Sequence, residues 1–117
     1  MQIGILEAKD FSKKALDDLS TIGDVELFNN TNLDVFLINK EILFIRLEFF
    51  IDKKFLDKMK IIKYICTPTS GLNHIDLNEC KKRDIKIISL KGDYEFLSTI
   101  RATPEHTFGL ILSLLRD

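Results

Sequence analysis

The chain has 117 residues, of which 45% are hydrophobic; this is enough for one globular domain with its own core and too few for two. Seventeen Lys and Arg residues against eighteen Asp and Glu residues leave a net charge of -1, which indicates neither a basic surface for nucleic acid nor an acidic tail. There is no secretory leader pattern, and no apolar run approaches the roughly 18 residues that span a bilayer. We therefore expect a cytoplasmic protein that binds neither nucleic acid nor membranes.

The first part of the chain predicts a strand, a helix and a second strand, at residues 3–6, 11–22 and 25–28. In the helical segment, apolar side chains recur at helical spacing. Ser12 or Asp10 can cap its amino end, and Gly23 closes it. The segment from Leu33 to Asn39 follows as a short helix or an irregular crossover.

The middle of the chain continues the alternation, with a third strand, a helix and a fourth strand at residues 42–46, 52–59 and 63–67. Asp52 can cap the helix. Ile51 and Leu56 occupy the two positions of a hydrophobic staple, which fixes the angle at which a chain enters a helix.

A turn of sequence P-T-S-G leads to a helix that opens at Asp76, where Glu79 three residues later suggests a capping box. Residues 85–89 form a fifth strand. Short strands that alternate with helices predict an α/β fold, flavodoxin-like, with an approximately five-stranded parallel sheet and helices on both faces. Such sheets bind ligands beyond the carboxyl ends of their strands. The segments at that edge are 7–10, 46–50, 67–73 and 90–93.

The last helix does not suit a lone domain of this size. Thr103, Pro104 and Glu105 form a helix start, with a capping hydroxyl, a proline at the first position and an acid at the positive end of the dipole. Apolar side chains then project around almost the full circumference, so every face needs cover. We expect residues 1–100 to form the domain and 101–117 to form an interdomain crossover helix. A helix threaded through the core is the alternative.

Three segments carry a family resemblance: FIRLEFFIDKKFLDK at 44–58, TPTSGLNHIDLNECKKRDIKIISLKG at 67–92 and RATPEHTFGLILSLLR at 101–116. Their order and separation resemble the amino-terminal catalytic, substrate-binding domain of D-isomer-specific 2-hydroxyacid dehydrogenases, particularly the phosphoglycerate dehydrogenase-like branch. The resemblance extends over essentially the whole chain.

The resemblance implies an oxidoreductase that transfers hydride between NAD(H) and a 2-hydroxy or 2-oxo acid. In the family, the final helix crosses to a Rossmann domain that binds NAD and supplies the catalytic Arg, Glu and His. This sequence contains no G-x-G-x-x-G and no segment on which those catalytic residues can be placed. We therefore expect a chain truncated before the cofactor domain, which neither binds NAD nor catalyses the reaction alone. NAD and NADP are not distinguished.

Arg46, Ser70 and Gly71 are the candidate substrate-binding residues. Backbone N–H groups in the turn before Gly71 can form a concavity for an anion, and glycine lets a ligand approach the backbone; by resemblance, the amides of Ser70 and Gly71 hold the substrate carboxylate. Arg46 can hold a carboxylate or phosphate through two parallel hydrogen bonds, and the family places an Arg here. The alternatives are an unliganded turn and a surface Arg paired with Glu48 or another acid.

The Leu47 to Phe50 segment is bulkier than the small polar residues that the family often has after this Arg. This predicts a more apolar pocket and argues against phosphorylated substrates. His74, Asp76, Glu79 and Cys80 lie close in sequence, but a structural metal site needs a second ligand cluster, so we expect no metal. We expect His74 and Asp76 to secure the turn and the helix start, and His106 to have a packing or hinge role.

Cys66 and Cys80 have neither C-x-x-C spacing nor a disulfide-rich context, so both are predicted to be small buried hydrophobes.

Other functions of the same fold fit less well. A receiver domain needs an Asp after the third strand, where this chain has Arg46, and a flavin site needs a hydroxyl-rich loop after the first strand, where it has Glu7 to Asp10. A non-catalytic domain that binds a small acid or has a regulatory role remains the alternative function. The partners we expect are a small 2-hydroxy or 2-oxo acid and a Rossmann domain, or self-association through residues 104–116.

Overall fold

The computed structural model describes residues 1–9, 11–69 and 71–89. Five strands and four helices alternate along them: β1 (Gln2–Ile5), α1 (Lys13–Ser20), β2 (Asp24–Leu27), α2 (Leu33–Leu37), β3 (Ile42–Phe44), α3 (Lys53–Asp57), β4 (Tyr64–Cys66), α4 (Leu77–Lys82) and β5 (Lys86–Ile88). The predicted crossover helix at 101–117 and the self-association through it lie outside these residues.

The five strands form one parallel sheet in the order β2-β1-β3-β4-β5. Ile3 of β1 lies between Val25 of β2 and Ile42 of β3, so the strand order reverses direction at β1. This is the flavodoxin-like order of a doubly wound sheet, and it confirms the predicted fold class.

The core lies on both faces of the sheet because side chains alternate along each strand. On one face, Ile42 and Phe44 of β3 pack with Leu19 of α1. On the other, Leu43 belongs to a larger cluster that includes buried residues of α2, α3 and α4, namely Phe36, Leu37, Phe55, Leu56 and Cys80. Helices therefore cover both faces, as predicted.

Polar side chains start the helices at the predicted positions. The Ser12, Asp52 and Asp76 side chains accept backbone N–H bonds from the third residue after each, at 3.3, 2.9 and 3.1 Å, and these are N-caps. The capping box at α4 is only half formed. The carboxylate of Glu79 accepts a hydrogen bond from Arg83 Nε at 3.0 Å, while the Asp76 N–H donates to Ile51 O.

Two boundaries differ from the prediction. Helix α1 ends at Ser20, three residues before Gly23. A Cβ at Gly23 would lie 2.3 Å from the Met1 carbonyl oxygen, so the close approach of the Met1 backbone favours glycine at residue 23. Strand β3 ends at Phe44, the last residue in register with both β1 and β4. Arg46 is therefore in the loop beyond the strand.

Lys40 is buried just before β3, with 1% of its surface exposed. Its Nζ donates to Glu26 Oε1 at 2.6 Å and to Asn39 Oδ1 at 2.7 Å and lies 4.6 Å from the Phe36 ring centroid. The Lys40 stem passes over Gly4, where a Cβ would approach it to 3.0 Å. Glycine in β1 therefore makes room for a buried amine whose hydrogen bonds are satisfied.

Both cysteines are free and buried, which confirms their predicted role as small hydrophobes. Burial raises the pKa of the Cys80 thiol to about 11. Within the described ranges, no helix has the length and apolar character needed to cross a bilayer.

Candidate functional site

The loops after β1, β3 and β4 meet at the carboxyl edge of the sheet. Backbone pairing continues past the strand ends, with Leu6 N–H donating to Phe44 O at 3.0 Å and Ile45 N–H donating to Cys66 O at 2.9 Å. Parallel sheets of this kind bind ligands at this edge, next to the point where the strand order reverses. Here that point is the junction of β1 and β3.

A cavity of about 510 Å³ opens at this edge. Its lining comprises Leu47, Pro68, Thr69, Gly71, Asn73 and His74. The Thr69 hydroxyl donates to the Gly71 carbonyl oxygen at 2.8 Å and lies 2.9 Å from the Thr67 hydroxyl. The β4–α4 loop is therefore stabilised by hydrogen bonds among its own residues.

Gly71 has open space in front of it among the described residues. A Cβ built at this residue would meet none of their atoms within 4 Å, so packing against them does not require glycine here. This is the space in which the sequence analysis predicts a ligand.

His74 is a buried polar wall of the cavity, with 8% of its surface exposed. Its Nε2 has no hydrogen-bond partner among the described residues. Burial lowers the pKa of His74 below its usual value, and the nearby negative charge of Glu7 partly opposes this. A neutral imidazole therefore predominates at neutral pH.

Arg46 is half-buried in the loop 46–51, which we call the Arg46 loop. Its backbone N–H donates to Glu7 Oε2, and the N–H of Glu48 donates to Glu7 Oε1 at 3.0 Å. Leu47, between them, is 67% exposed and lines the cavity. Arg46 itself is not among the described residues that line the cavity.

The far end of the Arg46 loop is tied to the β4–α4 loop. Ile51 and Ile75 form an isolated parallel bridge, in which Ile51 N–H donates to His74 O at 2.8 Å and Asp76 N–H donates to Ile51 O at 2.9 Å. The two loops thus form one hydrogen-bonded edge.

The predicted site residues are only partly brought together. Gly71 lines the cavity, Arg46 lies one residue from a lining residue, and Ser70 lies outside the described residues. Asp76 caps α4 as expected, whereas His74 forms part of the cavity wall, a placement that the prediction missed. Within the described part of the chain, no group of three potential metal ligands is found.

A family model described as the catalytic domain of D-isomer specific 2-hydroxyacid dehydrogenases matches residues 5–95. No curated protein sequence matches the chain.

Solved structures share the fold. A protein from Pyrococcus horikoshii, PH0520, is 23% identical with a TM-score of 0.69 over 78% of this chain and 28% of its own. D-lactate dehydrogenase from Aquifex aeolicus, solved with NAD and lactic acid, is 22% identical with a TM-score of 0.61 over 79% of this chain and 28% of its own. NAD-bound 3-phosphoglycerate dehydrogenase from Entamoeba histolytica is 18% identical, with a TM-score of 0.64 over 76% and 32%. This chain therefore spans about a third or less of the length of these proteins.

Proposed function

Because the chain belongs to the D-isomer specific 2-hydroxyacid dehydrogenase family, as its catalytic domain, we propose that it is the substrate-binding portion of an NAD-dependent enzyme. The proposed reaction transfers hydride between NAD(H) and a 2-hydroxy or 2-oxo acid. In this proposal, residues 1–100 form the substrate domain, and 101–117 lead into a separate cofactor domain.

The observation that carries the proposal is the cavity beside Gly71 at the carboxyl edge. Its walls are mostly apolar, with a few polar groups, which is the usual composition of a small-molecule site. In the proposed complex, the backbone N–H groups of Ser70 and Gly71 bind the substrate carboxylate, and the guanidinium of Arg46 binds it from the neighbouring loop.

Leu47 supports the choice of substrate class. This large apolar side chain stands in the cavity wall immediately after Arg46, where a phosphorylated substrate needs polar partners. Burying a phosphate against an apolar wall is costly, so a small, unphosphorylated 2-oxo acid fits this cavity better.

The residues of this chain do not fit NAD. The sequence contains no G-x-G-x-x-G motif after any strand, and that motif holds the pyrophosphate in Rossmann domains. What this chain would contribute to the proposed reaction is binding and orientation of the acid, and the redox chemistry would come from NAD held outside these residues.

Substitution of Gly71 tests the proposal directly. Because a Cβ at Gly71 meets no atom of the described residues within 4 Å, Gly71→Ala should fold normally and still weaken pyruvate binding at least about tenfold by blocking close approach to the backbone. Nuclear magnetic resonance titration of the chain with pyruvate measures this. We expect no effect on the pyruvate affinity from Arg83→Lys, a control whose side chain pairs with Asp57 and Glu79.

Arg46→Lys extends the same titration, because lysine keeps the charge and loses the planar pair of donors. We expect roughly tenfold weaker pyruvate binding. Wild-type protein that binds neither pyruvate nor hydroxypyruvate, or a Gly71→Ala variant that binds pyruvate as the wild type does, would contradict the proposed site.

A further inference from the structure

Glu7 stands at the point where the strand order of the sheet reverses. It follows β1 by two residues and is half-buried, and its partners lie in the loop after β3, the strand next to β1. This is the junction at which doubly wound sheets bind ligands. Its position alone does not assign a role; the hydrogen bonds of its carboxylate do.

Both carboxylate oxygens of Glu7 accept hydrogen bonds from the Arg46 loop. One accepts the backbone N–H of Arg46, and the other accepts the backbone N–H of Glu48. Hydrogen bonds to an ionised acceptor are roughly twice as strong as neutral ones. The two donors lie on either side of Leu47. Their hydrogen bonds to Glu7 therefore fix the backbone that carries Arg46 and the cavity-lining Leu47.

The other end of the Arg46 loop is fixed independently, by the backbone bonds that join Ile51 to His74 and Asp76. Between these two attachments, Leu47 and Phe50 remain 67% and 63% exposed, while the half-buried Phe49 packs against the core, with its ring centroid 6.1 Å from that of Phe55. Packing of Phe49 therefore holds the middle of the loop, and the two Glu7 hydrogen bonds hold the backbone at its first end.

A carboxylate beside an anion-binding site is unfavourable for that anion, because like charges repel. The geometry of Glu7 reduces this cost, since its oxygens face N–H donors of the loop. A neutral side chain in the same place does not supply two acceptor oxygens.

We propose that Glu7 is a positioning residue, which holds the Arg46 loop in the arrangement that binds the substrate carboxylate. This inference rests on the proposed function. Glu7 acts through the backbone of Arg46 and Glu48 and has no contact with the substrate.

The test uses three variants of the chain. Glu7→Gln keeps the shape of the side chain, but its amide group offers one acceptor oxygen and turns an NH₂ towards the other N–H. Glu7→Asp keeps both oxygens on a shorter side chain. Glu48→Gln removes the same charge from the Arg46 loop itself, two residues after Arg46, where the side chain is exposed.

Two measurements are made on each variant: hydrogen exchange of the Arg46 and Glu48 amides, and the affinity for pyruvate. In Glu7→Gln we expect faster exchange at both amides and pyruvate binding weakened about tenfold or more, because losing one charge-assisted hydrogen bond to the substrate carboxylate costs about that much affinity. Glu7→Asp should recover part of the protection of the two amides and part of the pyruvate affinity. Glu48→Gln should match the wild type in both measurements.

The outcomes separate the two hypotheses. Unchanged amide exchange in Glu7→Gln, or faster exchange with unchanged pyruvate affinity, overturns the positioning role. The same loss of affinity in Glu48→Gln also overturns it, because charge and not position would then be responsible. If wild-type protein binds no 2-oxo acid while Glu7→Gln accelerates exchange at the two amides, the proposed function fails and the hold of Glu7 on the loop stands.

Discussion

Buried polar side chains at the two ends of the sheet differ in how fully they are hydrogen-bonded. At the amino end of β3, Lys40 is 1% exposed and its amine is bonded to Glu26 and Asn39. At the carboxyl edge, His74 is 8% exposed and its Nε2 has no partner among the described residues. An unsatisfied buried group costs stability. The buried amine at one end therefore adds to stability through its bonds, while the buried Nε2 at the other, unpartnered within the described ranges, lies beside the cavity proposed to hold the substrate.

The largest effect should come from truncating Lys40. Lys40→Ala removes a stem that passes over Gly4 and an amine that lies over the Phe36 ring, and we expect it to lower the free energy of unfolding by about 2 to 5 kcal/mol, as for other buried long side chains. Lys40→Met keeps the stem and leaves Glu26, 60% exposed, in contact with water. It should cost only about 1 kcal/mol. Urea unfolding measures both, and equal losses would show that the charge and not the packing matters.

His74→Leu should have a smaller effect at neutral pH. Replacing a buried group whose Nε2 has no partner in the described part of the chain removes a desolvation cost, so we expect the free energy of unfolding to stay within about 1 kcal/mol of the wild type. Burial lowers the folded-state pKa of His74 below the usual 6.5. Above pH 6.5 the folded and unfolded states are both neutral at this residue, and below it the unfolded state binds the proton first.

The wild type should therefore lose stability relative to His74→Leu as the pH falls below about 6.5, until the folded-state pKa is passed. Thermal unfolding of both proteins between pH 8 and pH 5 checks this. Parallel curves would mean that the imidazole is as readily protonated in the folded protein as in the unfolded chain.

The smallest effect should come from Lys63, which pairs with Glu41 at 3.3 Å on the surface of the amino end. The pKa of Glu41 is lowered mainly by the backbone N–H of Gln2 and less by Lys63. Lys63→Met should therefore cost less than about 1 kcal/mol, the usual value of an exposed pair. Urea midpoints at low and high salt measure it; a salt-independent loss of more than that would contradict the surface character of the pair.

Local chemistry predicted much of the fold. Ser12, Asp52 and Asp76 cap helices where their sequence contexts indicate, because an N-cap bond spans only three residues. The end of β3 and the role of Gly23 were less predictable, since pairing with β1 and β4 decides the first and the Met1 carbonyl beside Gly23 decides the second. Such contacts join residues that lie far apart in the chain.

In the candidate site too, local features could be predicted from the sequence and contacts between distant residues could not. Gly71 follows from the turn chemistry of its own segment. The contact of Glu7 with Arg46 joins residues 39 positions apart, and it becomes visible only when β1 and β3 are known to be neighbours. The sequence signal available beforehand was an acid at the end of the first strand, which many surface positions share. The open Nε2 of His74 likewise depends on neighbours from several loops.

The parallel contact between Ile51 and Ile75 constrains how the length of the chain can vary. The segment between β3 and Ile51 crosses the carboxyl edge with both ends fixed, so an inserted or deleted residue would change which side chain stands beside the cavity at Leu47. The connection before α2 is exposed from Asn29 to Asn32 and has no bridge of this kind among the described residues, although Asn32 caps α2. Inserted peptides, epitope tags or fluorescent labels therefore belong before Asn32, and the segment from Arg46 to Ile51 should be left at its native length.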